Sequence, residues 1–343
     1  MEKILTFGEI MLRLSTPDYS TINQTHSFMV NYGGGEANVA VALSHMGHKT
    51  YFISKLPPNQ LGDGAITHLW SHGVNTKYVV RGSSNIGIYF LETGFGGRAS
   101  KVIYNRKHSA ITRISEDEFD WEEMFKDATW FHLSGITLAL GERVRKVALR
   151  ACKEARKYGV PVSFDFNYRS KLWTVEEARP VYKRFMDYVD IVFASFYDAN
   201  TILEIPLDKD FTGTTLSEKR RNVFPKMIEK YQLKYIFGTD RVVYSATENS
   251  LAGYYFKLDN GKLSWELTEP IRFNIYDRIG GGDAFASGVI HGLLKKFDDP
   301  AYAVRYGLNT SVLKHTIYGD VSVLSCEDIE NFMAANGTAE VVR

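Results

Sequence analysis

The sequence predicts an α/β fold: a mainly parallel sheet with helices on both faces and a small inserted β-sheet that acts as a lid. Three observations carry this expectation. Short apolar strands alternate with amphipathic helices along most of the chain, the pattern of a parallel sheet covered on both sides. Polar residues fall at the predicted strand C-terminal ends, among them Glu9, Ser134, Asp165, Asn167, Ser195 and Asp240, where such sheets open their ligand crevice. Two stretches, about 11–32 and 85–108, interrupt the alternation with Thr, Tyr, Phe, Ile and turn residues.

Taken in order, "KILTFGE" (3–9) is an apolar run ending in a polar turn, a buried strand. "EANVAVALSHMG" (36–47) places Val39, Leu43 and Met46 at helical spacing and stops on Gly47. "KTYFIS" (49–54) is the next strand, and "NIGIYFLET" with "KVIYNRK", linked by "ETGFGGRAS", reads as a hairpin. Then come the strand "WFHLSG" (130–135), the charged helix 142–159, the strand "VPVSFDFN" (160–167), a helix near 176–187 and the strand "DIVFAS" (190–195). A helix near 219–231 and the strand "KYIFGTD" (234–240) follow, then "VVYSAT" and "AGYYFKL" as a hairpin. Two helices, 283–296 and about 300–316, close the fold. No linker of proline or glycine marks a boundary, so residues 1–343 are expected to form one domain with the lid built into it.

Composition narrows the function. The 343 residues carry a formal net charge of +1, which gives no reason to expect a nucleic acid or another polyanion as partner. Two cysteines, Cys152 and Cys326, make neither a disulfide framework nor a metal cluster, and a cytoplasmic setting fits. "MEKILTFGEI" lacks a basic region followed by a long apolar stretch, so no signal peptide is expected. No apolar run is long enough to span a membrane. The P-loop pattern is absent, and Asn38 breaks a dinucleotide fingerprint in "YGGGEANV".

"DRIGGGDAFASG" (277–288) holds the chemistry. Three consecutive glycines argue for a loop, because each costs about 1 kcal/mol inside a helix. Phe285, Val289 and Leu293 then mark a helix face, with Asp283 opening the helix. Unpaired amides at a helix start, with the macrodipole behind them, bind anions, phosphate above all. Asp283 has two readings: a helix cap behind a tight glycine turn, or a base that takes a proton from a group attacking phosphate.

"GGGEANVAVALSHMG" and "DRIGGGDAFASG" together resemble, in order and spacing, the two signatures of the ribokinase-like PfkB sugar kinases. The second normally reads D-T-x-G-A-G-D-x-F; here Arg278 replaces the Thr and Gly281 the Ala. Within that family "YNRKHSA" (104–110), "FDFNYRSKLW" (164–173) and "LKHTIYGD" (313–320) look like the 2-keto-3-deoxygluconate kinases.

The resemblance implies a ribokinase-like fold and an ATP- and Mg2+-dependent phosphorylation of a sugar acid's terminal hydroxyl. It implies Asp283 as base and Gly280, Gly281 and Gly282 as anion hole. Arg106 and Arg169 become candidates for the substrate carboxylate, which a guanidinium fork matches; without the resemblance each reads as a solvated surface charge. Gly34, Tyr89, Tyr104 and Asp320 are implied around the sugar. Asn167, Ser195, Gly238, Gly280, Gly282 and Asn309 are implied around ATP. Two departures stand out: the family's N-x-x-E reads "SFYD", with Ser195 and Asp198, leaving the metal ligands unknown, and "GTDRVVYS" lacks the usual second glycine. A PfkB kinase for a neutral sugar or nucleoside would not need the two arginines. A non-catalytic sugar-binding protein would not need Asp283. The apolar face expected on a lid sheet favours a dimer or larger homo-oligomer.

Overall fold

The computed structural model describes residues 2–335. Its main sheet has ten strands, in the order Lys262–Leu267, Glu248–Asp259, Tyr235–Val243, Ile191–Phe193, Val162–Asp165, Ala128–Ser134, Lys3–Phe7, Lys49–Leu56 and Val79–Arg81. Ile271–Asn274 pairs separately with Glu248–Asp259. From Tyr235–Val243 to Val79–Arg81 every neighbouring pair is parallel, and the antiparallel pairs lie at the other edge.

The central strands are largely apolar because both faces are covered. Along Lys3–Phe7, Leu5 and Phe7 pack into one core while Ile4 packs into another. The first core is roofed by the helices Glu142–Lys157, Val175–Met186 and Leu216–Tyr231, the second by Gly35–His45, Gly281–Lys295 and Pro300–Lys314. This alternation across each strand makes a one-residue slip costly: it would turn every side chain to the wrong core.

The second sheet runs Met29–Gly33, Met11–Ser15, Gly87–Glu92, Lys101–Asn105. Met11–Ser15 and Gly87–Glu92 are parallel; the outer pairs are antiparallel, and the hairpin sets Tyr89 opposite Tyr104. Its root is short, since only residues 8–10 separate Met11–Ser15 from the core strand Lys3–Phe7.

Local differences from the sequence reading have physical causes. "KYIFGTD" does not stop at 240: the strand continues to Val243 and itself forms the first arm of the hairpin with Glu248–Asp259. A capping box between Thr215 and Glu218 starts the Leu216–Tyr231 helix before the expected position. The Gly281–Lys295 helix begins two residues ahead of Asp283, which therefore sits in its first turn. Two closing helices were expected, and a third, Cys326–Ala334, follows them behind a Ser325–Asp328 capping box. No helix among the described residues is long and apolar enough to cross a membrane.

Candidate active site

A cleft opens beyond the C-terminal ends of the parallel strands, as the topology requires. It holds two adjoining cavities of about 580 and 340 Å3, whose common wall is Asp165, Asn167, Gly281 and Gly282.

The wall is built on the start of the Gly281–Lys295 helix. Gly280 is left-handed, with φ of +81°, and a Cβ there would stand 1.8 Å from the Asp320 carbonyl oxygen, so glycine is required twice over. Behind it, the amides of Gly281, Gly282 and Asp283 have no partner among the described residues. They form an anion cradle reinforced by the helix dipole. Ser311 Oγ donates to the Gly281 carbonyl at 2.8 Å and steadies the cradle from beneath.

Asp283 is half-buried beside those amides. Its Oδ2 accepts a hydrogen bond from Asn38 Nδ2 at 2.7 Å, while Asn38 Oδ1 accepts from the Gly34 amide at 3.2 Å. Gly34 must be glycine because a Cβ would lie 1.9 Å from the Glu9 carbonyl oxygen. Withdrawal from water pushes the Asp283 carboxyl up to about 6; the Asn38 donor opposes this, Glu36 adds to it, and Arg169 draws it back. A carboxylate of that basicity, held by one neutral donor, is suited to accept a proton near neutral pH.

Asp165 ends the Val162–Asp165 strand and is pushed up to about 8, by burial first and by the neighbouring Asp283 second. Its Oδ1 accepts from the Asn167 amide at 3.1 Å, across a turn that puts Asn167 at φ of +37°. Asp198 Oδ2 accepts from both Ser195 N and Ser195 Oγ at 2.7 Å, and burial raises its pKa.

The opposite wall comes from the second sheet. Arg13, fully buried, donates to Asp277 Oδ2 at 2.5 Å and to Asp320 Oδ2 at 3.1 Å. Tyr89 donates to Asp320 as well. Arg106 gives Nε to Glu9 Oε2 at 2.8 Å and a second N–H to the same oxygen, while Ser109 Oγ donates to Glu9 Oε1 at 2.5 Å. Lys314, also fully buried, donates to the carbonyls of Gly319, Ile317 and Asp277 at 2.6, 3.3 and 3.4 Å, fastening the two loops under Gly280.

The sequence-predicted residues gather here with three exceptions: Asn309, and the strand-end residues Ser134, whose amide donates to Glu36, and Asp240, which pairs with Arg220. Gly34, Tyr89, Tyr104, Arg106 and Arg169 line the larger cavity, as do Gly280, Asp283 and Asp320. Ser195 and Gly238 line the smaller one, and Asn167, Gly281 and Gly282 line both. Asn309 lines neither: it is buried in the Pro300–Lys314 helix, with Nδ2 donating to the Arg305 carbonyl at 2.8 Å. Arg169 is exposed, and among the described residues no side chain pairs with it. Arg106 faces the cavity with two of its N–H groups already committed to Glu9.

Sequence reasoning missed Arg13, Asn38, Arg241 and Lys314. For Arg13 a signal existed: in "MLRLS" it shares a strand face with Met11 and Ser15, so a buried position implies a buried partner.

Among the described residues no group of three or more His, Cys, Asp or Glu could hold a metal ion. Asp165 and Asp198 nonetheless both line the smaller cavity. One or two carboxylates beside substrate phosphates are the usual donor set for Mg2+, so the residues fit that ion carried in with a nucleotide.

Comparison with known proteins agrees with this geometry. Residues 1–324 match the profile of the pfkB family carbohydrate kinase. A 2-dehydro-3-deoxygalactonokinase from Haloferax volcanii is 31% identical over 332 residues, covering 96% of this chain and 96% of that protein. A 2-dehydro-3-deoxygluconokinase from Bacillus subtilis is 27% identical over 338 residues, covering 97% and 96% respectively. The crystal structure of 2-dehydro-3-deoxygluconokinase from Thermotoga maritima aligns with a TM-score of 0.90 at 44% identity, over 97% of this chain and 98% of that one.

Proposed function

The chain belongs to the pfkB family of carbohydrate kinases, and on that basis we propose that it transfers the γ-phosphoryl group of ATP to the terminal hydroxyl of a 2-keto-3-deoxy sugar acid, 2-keto-3-deoxygluconate foremost. The observation that carries the reading is the junction of Asp283 with the unpartnered amides of Gly281 and Gly282, on the wall common to both cavities. The sugar acid occupies the larger cavity and ATP the smaller. Asp283 takes the hydroxyl proton as that oxygen bonds to the γ-phosphorus, and the bond to the β–γ bridging oxygen breaks to release ADP. The cradle amides stabilise charge on the transferring group. Asp165 and Asp198 would hold Mg2+, which supplies charge neutralisation across the phosphate oxygens.

Arg169, free of a protein counter-ion, takes the substrate carboxylate, with the remaining N–H groups of Arg106 beside it. Gly34, Tyr89, Tyr104 and Asp320 surround the sugar hydroxyls; Asn167, Ser195 and Gly238 border the nucleotide. The second sheet closes over the sugar as a lid within a single domain. Its exposed Met29, Val30 and Ile103 favour a homodimer. Both cysteines are free, which suits the reducing cytoplasm.

A coupled ATP-consumption assay tests the reading, with 2-keto-3-deoxygluconate, its galactonate epimer, fructose and ribose as acceptors. Turnover of one or both acids far above the neutral sugars is expected. Equal or better turnover of fructose or ribose would refute the acid specificity, and silence with every acceptor would refute the transfer.

A further inference from the structure

Two segments where the chain departs from its family's signatures both carry guanidinium groups, and both line a cavity bounded by the anion cradle. Arg278 stands where the signature has threonine, and Arg241 lies in "GTDRVVYS", the segment lacking its usual second glycine. Arg241 lines the smaller cavity and Arg278 the larger, each alongside Gly281 and Gly282.

We propose that Arg241, aimed by His315 and seconded by Arg278, binds the terminal phosphates of the nucleotide. This rests on the kinase reading given above and assigns that site's charge partner.

The tautomer of His315 follows from its contacts. Nδ1 lies 2.6 Å from the Ser311 carbonyl, which only accepts, so Nδ1 carries the hydrogen. Nε2 is therefore a lone pair, and Nη1 and Nη2 of Arg241 both donate to it at 3.2 Å. His315 is fully buried, and burial together with Arg241 pulls its pKa down to about 3, so it stays an acceptor through the physiological range. Asn249, with its amide turned to satisfy its neighbours, accepts from Arg241 Nη1 at 2.9 Å. Arg241 thus has only neutral partners, and no carboxylate pairs with it among the described residues. Nor does one pair with Arg278.

The same network ends at the cradle. Ser311 accepts from His315 through its carbonyl and donates through Oγ to the Gly281 carbonyl at 2.8 Å. The His315 ring lies directly under Gly281, where a Cβ would meet it at 2.3 Å. Two like charges set together in a partly buried cleft repel each other. Burial and Arg278 draw the Arg241 pKa down to about 10, so Arg241 stays charged at neutral pH and lacks an anion. A planar fork next to backbone amides is the arrangement that grips phosphate oxygens.

The test measures binding of ATP, ADP and adenosine to the full chain by calorimetry, for the wild type, Arg241→Met, Arg241→Lys and His315→Phe, with circular dichroism to confirm the fold. Arg241→Met should weaken ATP by about 10- to 100-fold, with adenosine within about twofold of wild type. Arg241→Lys should recover part of the loss, and His315→Phe should weaken ATP while leaving the charge in place. Wild-type ATP affinity in Arg241→Met, or equal weakening of ATP and adenosine, would overturn the proposal. Should Arg241→Met not fold, Arg241→Lys decides: ATP and adenosine affinities both unchanged overturn it, and a selective loss for ATP supports it. Asp283→Asn separates the two ideas, since loss of turnover with intact ATP binding tests the base and leaves Arg241 to be judged on binding. A wild-type chain that binds no adenine nucleotide would sink both.

Discussion

Within one cleft the arginines fall into two populations. On the lid side, Arg13 is locked between Asp277 and Asp320, and Arg106 is engaged with Glu9. On the side of the main sheet, Arg169, Arg241 and Arg278 have no carboxylate partner among the described residues, and Asp283 has only the neutral amide of Asn38. The difference teaches where function is stored. A buried cation whose donors are taken up by carboxylates holds a shape and offers little to a ligand. A charge left without its counter-ion is costly in the empty protein and valuable when a ligand of opposite charge arrives.

Four experiments can break or sharpen this contrast. The largest effect belongs to Asp283→Ala, which should lower kcat by at least about 10²-fold, the low end for a general base, with the fold intact by circular dichroism. Turnover close to wild type would move the chemistry elsewhere. Next, Arg13→Met strands Asp277 and Asp320 without their cation; urea unfolding should show a loss of about 3–5 kcal/mol, as for a broken buried pair. A change under about 1 kcal/mol would erase the distinction between the two walls.

Third, Arg169→Ala should leave the unfolding midpoint alone and cost about 1.5–3 kcal/mol of sugar-acid binding, seen as a raised KM. Arg106→Ala should show mainly a loss of stability, because Glu9 stays buried and uncompensated, with a smaller rise in KM. Interchanged results would reassign the carboxylate partner.

The smallest effect is in pH. Asp283 must be ionised to act as base, and its carboxyl is raised to about 6, so kcat/KM should fall as pH drops through about 6 and level off above it. The Asn38 donor lowers that value, so Asn38→Ala should move the acid limb to higher pH. For stability the sign is opposite. The folded carboxyl keeps its proton between the ordinary aspartate range and about 6 while the unfolded one has lost it, so this group's contribution declines as pH rises through that window.

Much of this architecture was legible in the residues. The parallel core showed because its central strands begin as short apolar runs, and the cradle showed because three glycines before an aspartate and an apolar helix face are a local signal. The pairings were not legible. Asn38 meets Asp283 across 245 positions and Arg106 meets Glu9 across 97, and neither is knowable until the strand order is known. Asn38 registered only as the residue that spoils a dinucleotide motif; its amide proves to orient the carboxylate of a different helix. Asn309 shows the converse: it shares a helix with Ser311, which lines the smaller cavity, yet its amide turns to the Arg305 carbonyl one turn back. The strand Tyr235–Val243 reads in sequence as two pieces because it crosses polar residues Thr239, Asp240 and Arg241, which are tolerated where the sheet's edge meets the cleft.

The crowding at Gly280 has a consequence for how this protein can change over generations. A position that admits no side chain, wedged against the Asp320 carbonyl, is closed to mutation, and a saturation library there would return glycine alone. Position 169 carries no such barrier: its side chain is exposed and no side chain pairs with it among the described residues. On the proposed reading, new acceptor preferences can therefore arise by drift at Arg169 while the cradle is inherited unaltered, and a protein engineer seeking a different sugar should begin there.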